Sequence, residues 1–199
     1  MKPPKRQGAV AALITIAIAG CNASQPSTLG GAGAGTIPPD DVILETALAE
    51  VEAQDLCDGF FQPEAAAESR VYPLGDNRAL VEVVCAFTAY QMVYTYGVYE
   101  AEGGWRSISL DLFYPSETGE FVRTSEGTVG GLADFDPAQG RLTVFSKARG
   151  IGDCGSLADY RWTGDNLDLE TYRYQECSDS PNDIPEELID PTHYPQIFP

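Results

Sequence analysis

From residue 71 onward, apolar and polar positions alternate with a period of two in short runs at 71–74, 80–87, 92–99, 108–114, 142–145, 160–162 and 167–174. Turn-forming clusters separate them: Gly75-Asp76-Asn77, Glu102-Gly103-Gly104, Ser116-Glu117-Thr118-Gly119, Asp136-Pro137-Ala138-Gln139-Gly140 and Thr163-Gly164-Asp165-Asn166. Short strands at this spacing, with no helical pattern between them, predict a mainly β fold: an antiparallel sandwich or open barrel. One helix precedes the strands. Leu44, Ala47, Leu48 and Val51 recur at helical spacing after Pro38-Pro39-Asp40-Asp41, which predicts a helix over 41–56 with an aspartate as N-cap. In Leu167-Asp168-Leu169-Glu170 the leucines take one face and the acids the other, so Asp168 and Glu170 are expected to face solvent.

The N-terminal pattern is different. Lys2, Lys5 and Arg6 precede residues 9–20, where Thr15 alone is polar, and Ile18-Ala19-Gly20-Cys21 closes the run. A basic start, a short apolar run and a small-residue junction form a secretory signal. The run is too short for a bilayer-spanning helix, which needs about 20 apolar residues. Cysteine directly after Ala-Gly resembles the lipobox of bacterial lipoproteins. That resemblance implies cleavage before Cys21, diacylglycerol on its sulfur and acylation of the new amine, with an ordinary cleaved signal peptide as the alternative. Asn22, rather than Asp, after the lipid-bearing residue implies by the same resemblance the outer membrane, in a host that has two. Residues 22–39 are small, Gly- and Pro-rich and unable to bury a core, so residues 21–39 read as lipidated cysteine plus tether with a reach of roughly 23 Å. Residues 40–199 read as a single β-rich domain.

Charge narrows the partners. The 199 residues carry 12 Lys plus Arg against 30 Asp plus Glu, a formal charge of −18, and loss of residues 1–20 leaves nine basic residues and a charge of −21. Such a surface repels a polyanion, so nucleic acid is excluded as a phosphate-held partner. A membrane partner is expected through the lipid, since two or three acyl chains on one residue anchor stably without a basic patch.

If Cys21 carries lipid, Cys57, Cys85, Cys154 and Cys177 remain, an even number that reads as two disulfides in an exported chain with three possible connectivities. Cys57–Cys85 and Cys154–Cys177 are expected, because each pair lies within one half of the domain and closes a modest loop. Zinc is disfavoured: the chain has no Cys-x-x-Cys spacing, and its single histidine, His193, lies near the end.

The most distinctive segment is Arg149-Gly150-Ile151-Gly152-Asp153-Cys154-Gly155. It satisfies G-x-G-x-x-G after a strand, yet no helical pattern follows to seat a dinucleotide phosphate. A tight loop with glycines at positive φ, closed by a disulfide, is expected instead. Arg149 is expected to hold Asp153 by charge-assisted hydrogen bonds, the alternative being that it projects outward towards an anionic partner. The strand ending Phe145-Ser146-Lys147, this loop, Tyr160-Arg161-Trp162-Thr163-Gly164, the Leu-x-Leu strand, Cys177 and the closing His193-Tyr194-Pro195 together resemble the bacterial domain-of-unknown-function family 1176 over about residues 125–199. Ser178, where the family usually has Arg, and Tyr194, in place of Trp, depart from its pattern. The resemblance implies export and a domain of paired cysteines, and it supplies no activity or catalytic residue.

Other candidate chemistry is sparse. Tyr90, Tyr94, Tyr96 and Tyr99 are candidates for a sugar-binding face. Asp134, Asp136, Asp153, Asp165, Asp179 and Asp183 lie in or beside turns, where a structural calcium ion takes its ligands, although no EF-hand spacing is present. A Ser-His-acid triad would depend on His193, in a terminal polar stretch. Two classes of function follow. One is a non-catalytic envelope lipoprotein that binds an envelope protein or glycan or serves structurally. The other is an envelope hydrolase with paired carboxylates, which requires an acid with a raised pKa beside an ionised one in a cleft.

Overall fold

The computed structural model of the protein describes residues 36–179, 185 and 189–199. The signal segment, Cys21, Asn22, most of the tether and Asp183 lie outside them. Helix α1 runs over Asp40–Ala53. Among the described residues eleven strands follow: β1 Arg70–Gly75, β2 Arg78–Phe87, β3 Met92–Glu100, β4 Gly104–Ile108, β5 Leu110–Pro115, β6 Phe121–Glu126, β7 Thr128–Asp136, β8 Arg141–Lys147, β9 Gly155–Trp162, β10 Leu167–Gln175 and β11 Gln196–Phe198. Every pairing is antiparallel. One sheet runs β1-β2-β3-β7-β8-β9-β10-β11, with β4 also on β3, while β5 and β6 form a separate hairpin. The outer edge of β3 is therefore shared: residues 92–95 pair with β7 and residues 96–100 with β4.

The sheet curls without closing into a barrel. Strands lie about 4.8 Å apart, so β2 and the β9–β10 turn would be some 20 Å apart in a flat sheet. Yet Arg78 Nη1 donates to Gly164 O at 2.6 Å, and Arg106 Nη2, from β4, donates to Asp165 O at 2.8 Å. The concave face holds the larger core, with Leu80, Tyr96, Phe135, Leu142, Tyr160 and Tyr172 among its members. The β5–β6 hairpin covers that face, and the hydroxyls of Tyr160 and Tyr172 donate to Asp111 O and Phe113 O.

Helix α1 covers the other face of β1–β4. Ile43, Ala47 and Val51 meet Ala79, Val81, Val83 and Tyr99, and the buried Cys57–Cys85 disulfide lies in the same cluster. Strand β2 is thus buried on both sides, which explains eight consecutive buried residues. The second disulfide joins Cys154 to Cys177. In the chain-entropy view, loops of 28 and 23 residues each stabilise by about 3.5 kcal/mol.

Several expectations are corrected. Pro39 occupies the N-cap with no side-chain cap bond, and Asp40 and Asp41 sit in the first turn, where their charge favours the positive helix end. The helix stops at Ala53, three residues short of the expected end. The single run expected at 108–114 is broken at Ser109, where the chain leaves the sheet for the hairpin: Ile108 closes β4, whose residues 104–107 were not expected as strand, and β5 begins at Leu110. Strands β6, β7 and β11 were not expected. The first is mostly polar and half open to solvent, the second is interrupted by Gly130-Gly131, and the third has three residues. The β1–β2 turn does follow its sequence, since Asp76 and Asn77 both take positive φ, as a two-residue hairpin turn demands.

Gly97 of β3 lies directly beneath Trp105 of β4: a Cβ there would approach the indole Cη2 to 2.2 Å. Trp105 packs into the helix-side cluster with its Nε1 buried and without a hydrogen-bond partner among the described residues. Gly97→Ala must displace the ring, and the expected loss is about 1–3 kcal/mol. Urea titration followed by tryptophan fluorescence reads both the loss and the altered ring environment; an unchanged midpoint and emission maximum would contradict the packing.

Candidate functional site

The Arg149–Gly155 loop is held from four directions. Arg149 Nε donates to Asp153 Oδ1 at 2.7 Å, Nη2 donates to Oδ2, and Nη1 reaches Ser178 O at 3.2 Å, beyond the disulfide. Tyr194, fully buried, donates its hydroxyl to Gly152 O at 3.0 Å. Tyr90 donates to Ala148 O at 3.3 Å, and the side chain of Gln91 accepts from Lys147 N at 2.9 Å. Asp153 is almost entirely buried, and the Arg149 hydrogen bond holds its carboxyl below the ordinary carboxylate range. Arg149 therefore turns inward onto Asp153, and the outward-projecting alternative is overturned.

Glycine is required at one point of this loop above all. Gly155 has φ +136°, and a Cβ there would meet Ser146 O at 2.0 Å. Gly152 also takes positive φ. Gly150 does not, and a Cβ there would meet the Tyr90 ring at 3.5 Å, an ordinary contact, so neither backbone angle nor crowding requires glycine at that position.

The tyrosines divide. Tyr94 and Tyr96 are buried in the concave core, Tyr99 is buried in the helix-side cluster, and Tyr90 alone is exposed, so they form no common sugar-binding face. The acids beside turns are similarly dispersed. Asp136 Oδ1 accepts from Ala138 N and Gln139 N within its own turn, and Asp153 is occupied by Arg149. Among the described residues no three His, Cys, Asp or Glu side chains converge as a metal site. Asp168 is exposed as expected, while Glu170 binds Arg161 by two hydrogen bonds. His193 lies in the short 3-10 turn Pro191–His193, next to Asp190, whose carboxylate caps that turn at Thr192 N.

Glu82 is an unforeseen residue. It stands on the concave face of β2, opposite Arg70 on one side and Tyr96 on the other, and is 3% exposed. Tyr96 donates to Glu82 Oε2 at 2.9 Å. Burial raises the carboxyl pKa, the Tyr96 hydrogen bond and the Arg70 charge oppose that, and the Asp134 charge adds to it. The signal was present as a lone acid inside Leu80-Val81-Glu82-Val83-Val84, but only a strand buried on both faces makes it unusual.

The concave surface open to a ligand lies elsewhere. A depression of about 520 Å³ separates the β5–β6 turn from the end of β10 and the chain entering β11. Phe121 and Tyr174 meet edge to face in it, ring centres 5.1 Å apart, with Pro115 and Ile197 beside them and Glu117 and Glu176 also lining it. A shallower depression of about 180 Å³ shares Pro115 and Tyr174 and extends to Lys147 and Gly155, the foot of the glycine loop. A third, of about 540 Å³, is polar and lies where Arg106 meets the β9–β10 turn. Glu82 lines none of the three. The groove residues come from segments some 60 positions apart, so no local motif announces them.

Two outcomes follow. Arg149→Gln loses the paired bonds and leaves Asp153 buried with a weaker partner, so the Tm should fall by roughly 3–8 °C; an unchanged Tm would mean that the loop does not depend on the pair. The raised carboxyl of Glu82 implies stability that is full below the ordinary glutamate range and is lost as pH rises through the folded-state value. Glu82→Gln keeps an acceptor for Tyr96 and removes the charge. It should melt higher than the wild type at pH 8, with the gap narrowing towards pH 4, in thermal scans of both proteins.

A family model described as Protein of unknown function (DUF1176) matches residues 32–190. The match reaches well ahead of residue 125, across α1, both edges of β3 and the covering hairpin. No curated protein and no solved structure matches. The paired cysteines, the glycine loop and the strand order around them are thus parts of one family domain, and the chain belongs to the DUF1176 family.

Proposed function

We propose that this chain is an exported, lipid-anchored protein of the cell envelope that works as a non-catalytic binding module, holding an envelope protein or glycan at the groove beside its second disulfide. The two disulfides carry the reading, because such bonds persist in oxidising compartments outside the cytosol. Ile18-Ala19-Gly20-Cys21 supplies the anchor and residues 22–39 the tether. Among the described residues no helix is long and apolar enough to cross a membrane.

The groove supports binding rather than hydrolysis. A glycan hydrolase with paired carboxylates needs a buried acid of raised pKa facing a cleft beside an ionised one. Here the buried acid is Glu82, sealed in the core against Tyr96, while the carboxylates at the groove, Glu117 and Glu176, are exposed. Binding asks only for aromatic surface and placed polar groups, which the groove has.

Cys21→Ser removes the sulfur that takes the lipid. Wild-type protein should stay with carbonate-washed membranes, and the variant should be released; equal membrane retention would end the lipoprotein reading. Wild-type protein used as bait in detergent-solubilised envelope should retain a component of it, and incubation with isolated envelope glycan should release no new reducing ends. Release that is lost in Glu117→Gln or Glu176→Gln would establish the hydrolase instead.

A further inference from the structure

The partner's chemistry follows from how the protein uses its own positive charge. Beyond the signal segment the sequence has eight arginines, and all eight have partners within the fold. Arg78 and Arg106 donate to the carbonyls of the β9–β10 turn. Arg123 binds Asp111 and lies over the Phe198 ring, Arg149 binds Asp153, and Arg161 binds Glu170. Arg173 donates to Tyr194 O and Gln196 Oε1, Arg141 lies 3.8 Å from Asp159, and Arg70 stands opposite Glu82 on β2 and feels the charges of Tyr72 and Glu82. The one remaining lysine, Lys147, places its Nζ 5.9 Å from the Phe145 ring.

The groove is where this matters. Glu117, on the β5–β6 turn, and Glu176, just past β10, both line the groove and stand exposed, and neither has an ion-pair partner among the described residues. Phe121, Tyr174, Pro115 and Ile197 line the same groove. The Glu176 charge is felt at the Tyr174 phenol, so carboxylate and ring share one corner. A cation gains twice there, from the unpaired carboxylates and from the negative faces of the rings.

We propose that this groove docks a basic segment of a partner polypeptide, seating a lysine or arginine between Glu117 and Glu176 with a neighbouring apolar side chain against Phe121 and Tyr174. The proposal deepens the binding-module reading and relies on it for compartment alone. A neutral saccharide can use the rings but gains little from the acidic field. An anionic lipid surface is repelled by it. The neighbouring depression shares Pro115 and Tyr174 with the groove and is lined by Lys147 and Gly155, so an extended chain rather than a single small ion has room there provided that its basic side chains sit at the glutamate end, away from Lys147. The chain's large negative charge steers such a segment inward.

The test uses the full chain in non-ionic detergent and the peptide acetyl-Lys-Val-Lys-Val-Lys-amide, with its Glu-for-Lys and Gln-for-Lys counterparts, in calorimetric titration. The lysine peptide should bind, the glutamate peptide should not, and the glutamine peptide should bind more weakly. Glu117→Gln combined with Glu176→Gln changes only exposed side chains and should weaken binding roughly tenfold. Raising salt from 0.05 to 0.5 M should weaken it similarly in the wild type and less in the double variant, which keeps most of the overall charge but loses the local pair. Equal binding of the lysine and glutamate peptides, or an unaffected double variant, would overturn the proposal. So would an N-acetylglucosamine oligomer or an anionic vesicle binding at this groove while the lysine peptide does not. Capture of an envelope component without lysine-peptide binding would remove this inference and leave the binding-module reading standing.

Discussion

The burial of β2 on both faces is the constraint on which the rest of the architecture depends. A strand between a helix and a curled sheet must be apolar on both faces, and residues 79–86 meet that demand at every position but one. The helix is brought to β2 partly by packing and partly by the Cys57–Cys85 bond, which joins the segment after α1 to the strand itself. Glu82 is the exception. It faces the side where Tyr96 and Arg70 can reach it, and a carboxyl held that way keeps one strong hydrogen bond at the cost of its solvation.

Curling brings distant turns together, and arginine makes those junctions. Arg78 and Arg106 bond main-chain carbonyls of the β9–β10 turn, where a planar guanidinium can satisfy acceptors that no strand partner meets. On the polar outer face Asp159 accepts from Thr143 and Thr171, with Arg141 close by, while Arg161 spans Glu170 and the Gln139 carbonyl. Many of these pairs are exposed and individually weak. Their collective consequence is that the chain's cations are occupied within the fold, and an acid excess remains for the solvent and for any partner.

The end carrying the second disulfide owes its shape to the C-terminal residues. Tyr174 N donates to Pro195 O, Arg173 donates to Tyr194 O, and Tyr194 hydrogen-bonds Gly152, so β11 and the segment before it fasten β10 and the glycine loop at once. Phe198 packs against Phe113 of the covering hairpin. The walls of the groove, from β5–β6 on one side and from β10 with residues 195–197 on the other, are held apart by these contacts. The groove is therefore part of the fold's closure.

Strand period, turn chemistry and cysteine parity were legible in the amino-acid order because each is a local matter. Asp76-Asn77 dictates its turn through backbone angles, Leu167-Asp168-Leu169 dictates its faces through alternation, and four body cysteines in two halves imply two short bridges. The inward turn of Arg149 could also be anticipated, since Asp153 is only four residues away. Strand β6 could not, because its polar face is exposed on a hairpin that is held by neighbours distant in sequence. The separation of Tyr99 from Tyr94 and Tyr96 was implicit in alternation, an odd step along one strand reversing the face, but the burial of both faces in two distinct cores was not. The meaning of Glu82 and the convergence of Glu117, Phe121, Tyr174 and Glu176 were decided only in three dimensions, because burial and proximity between such segments follow from the curl of the sheet, which no local pattern carries.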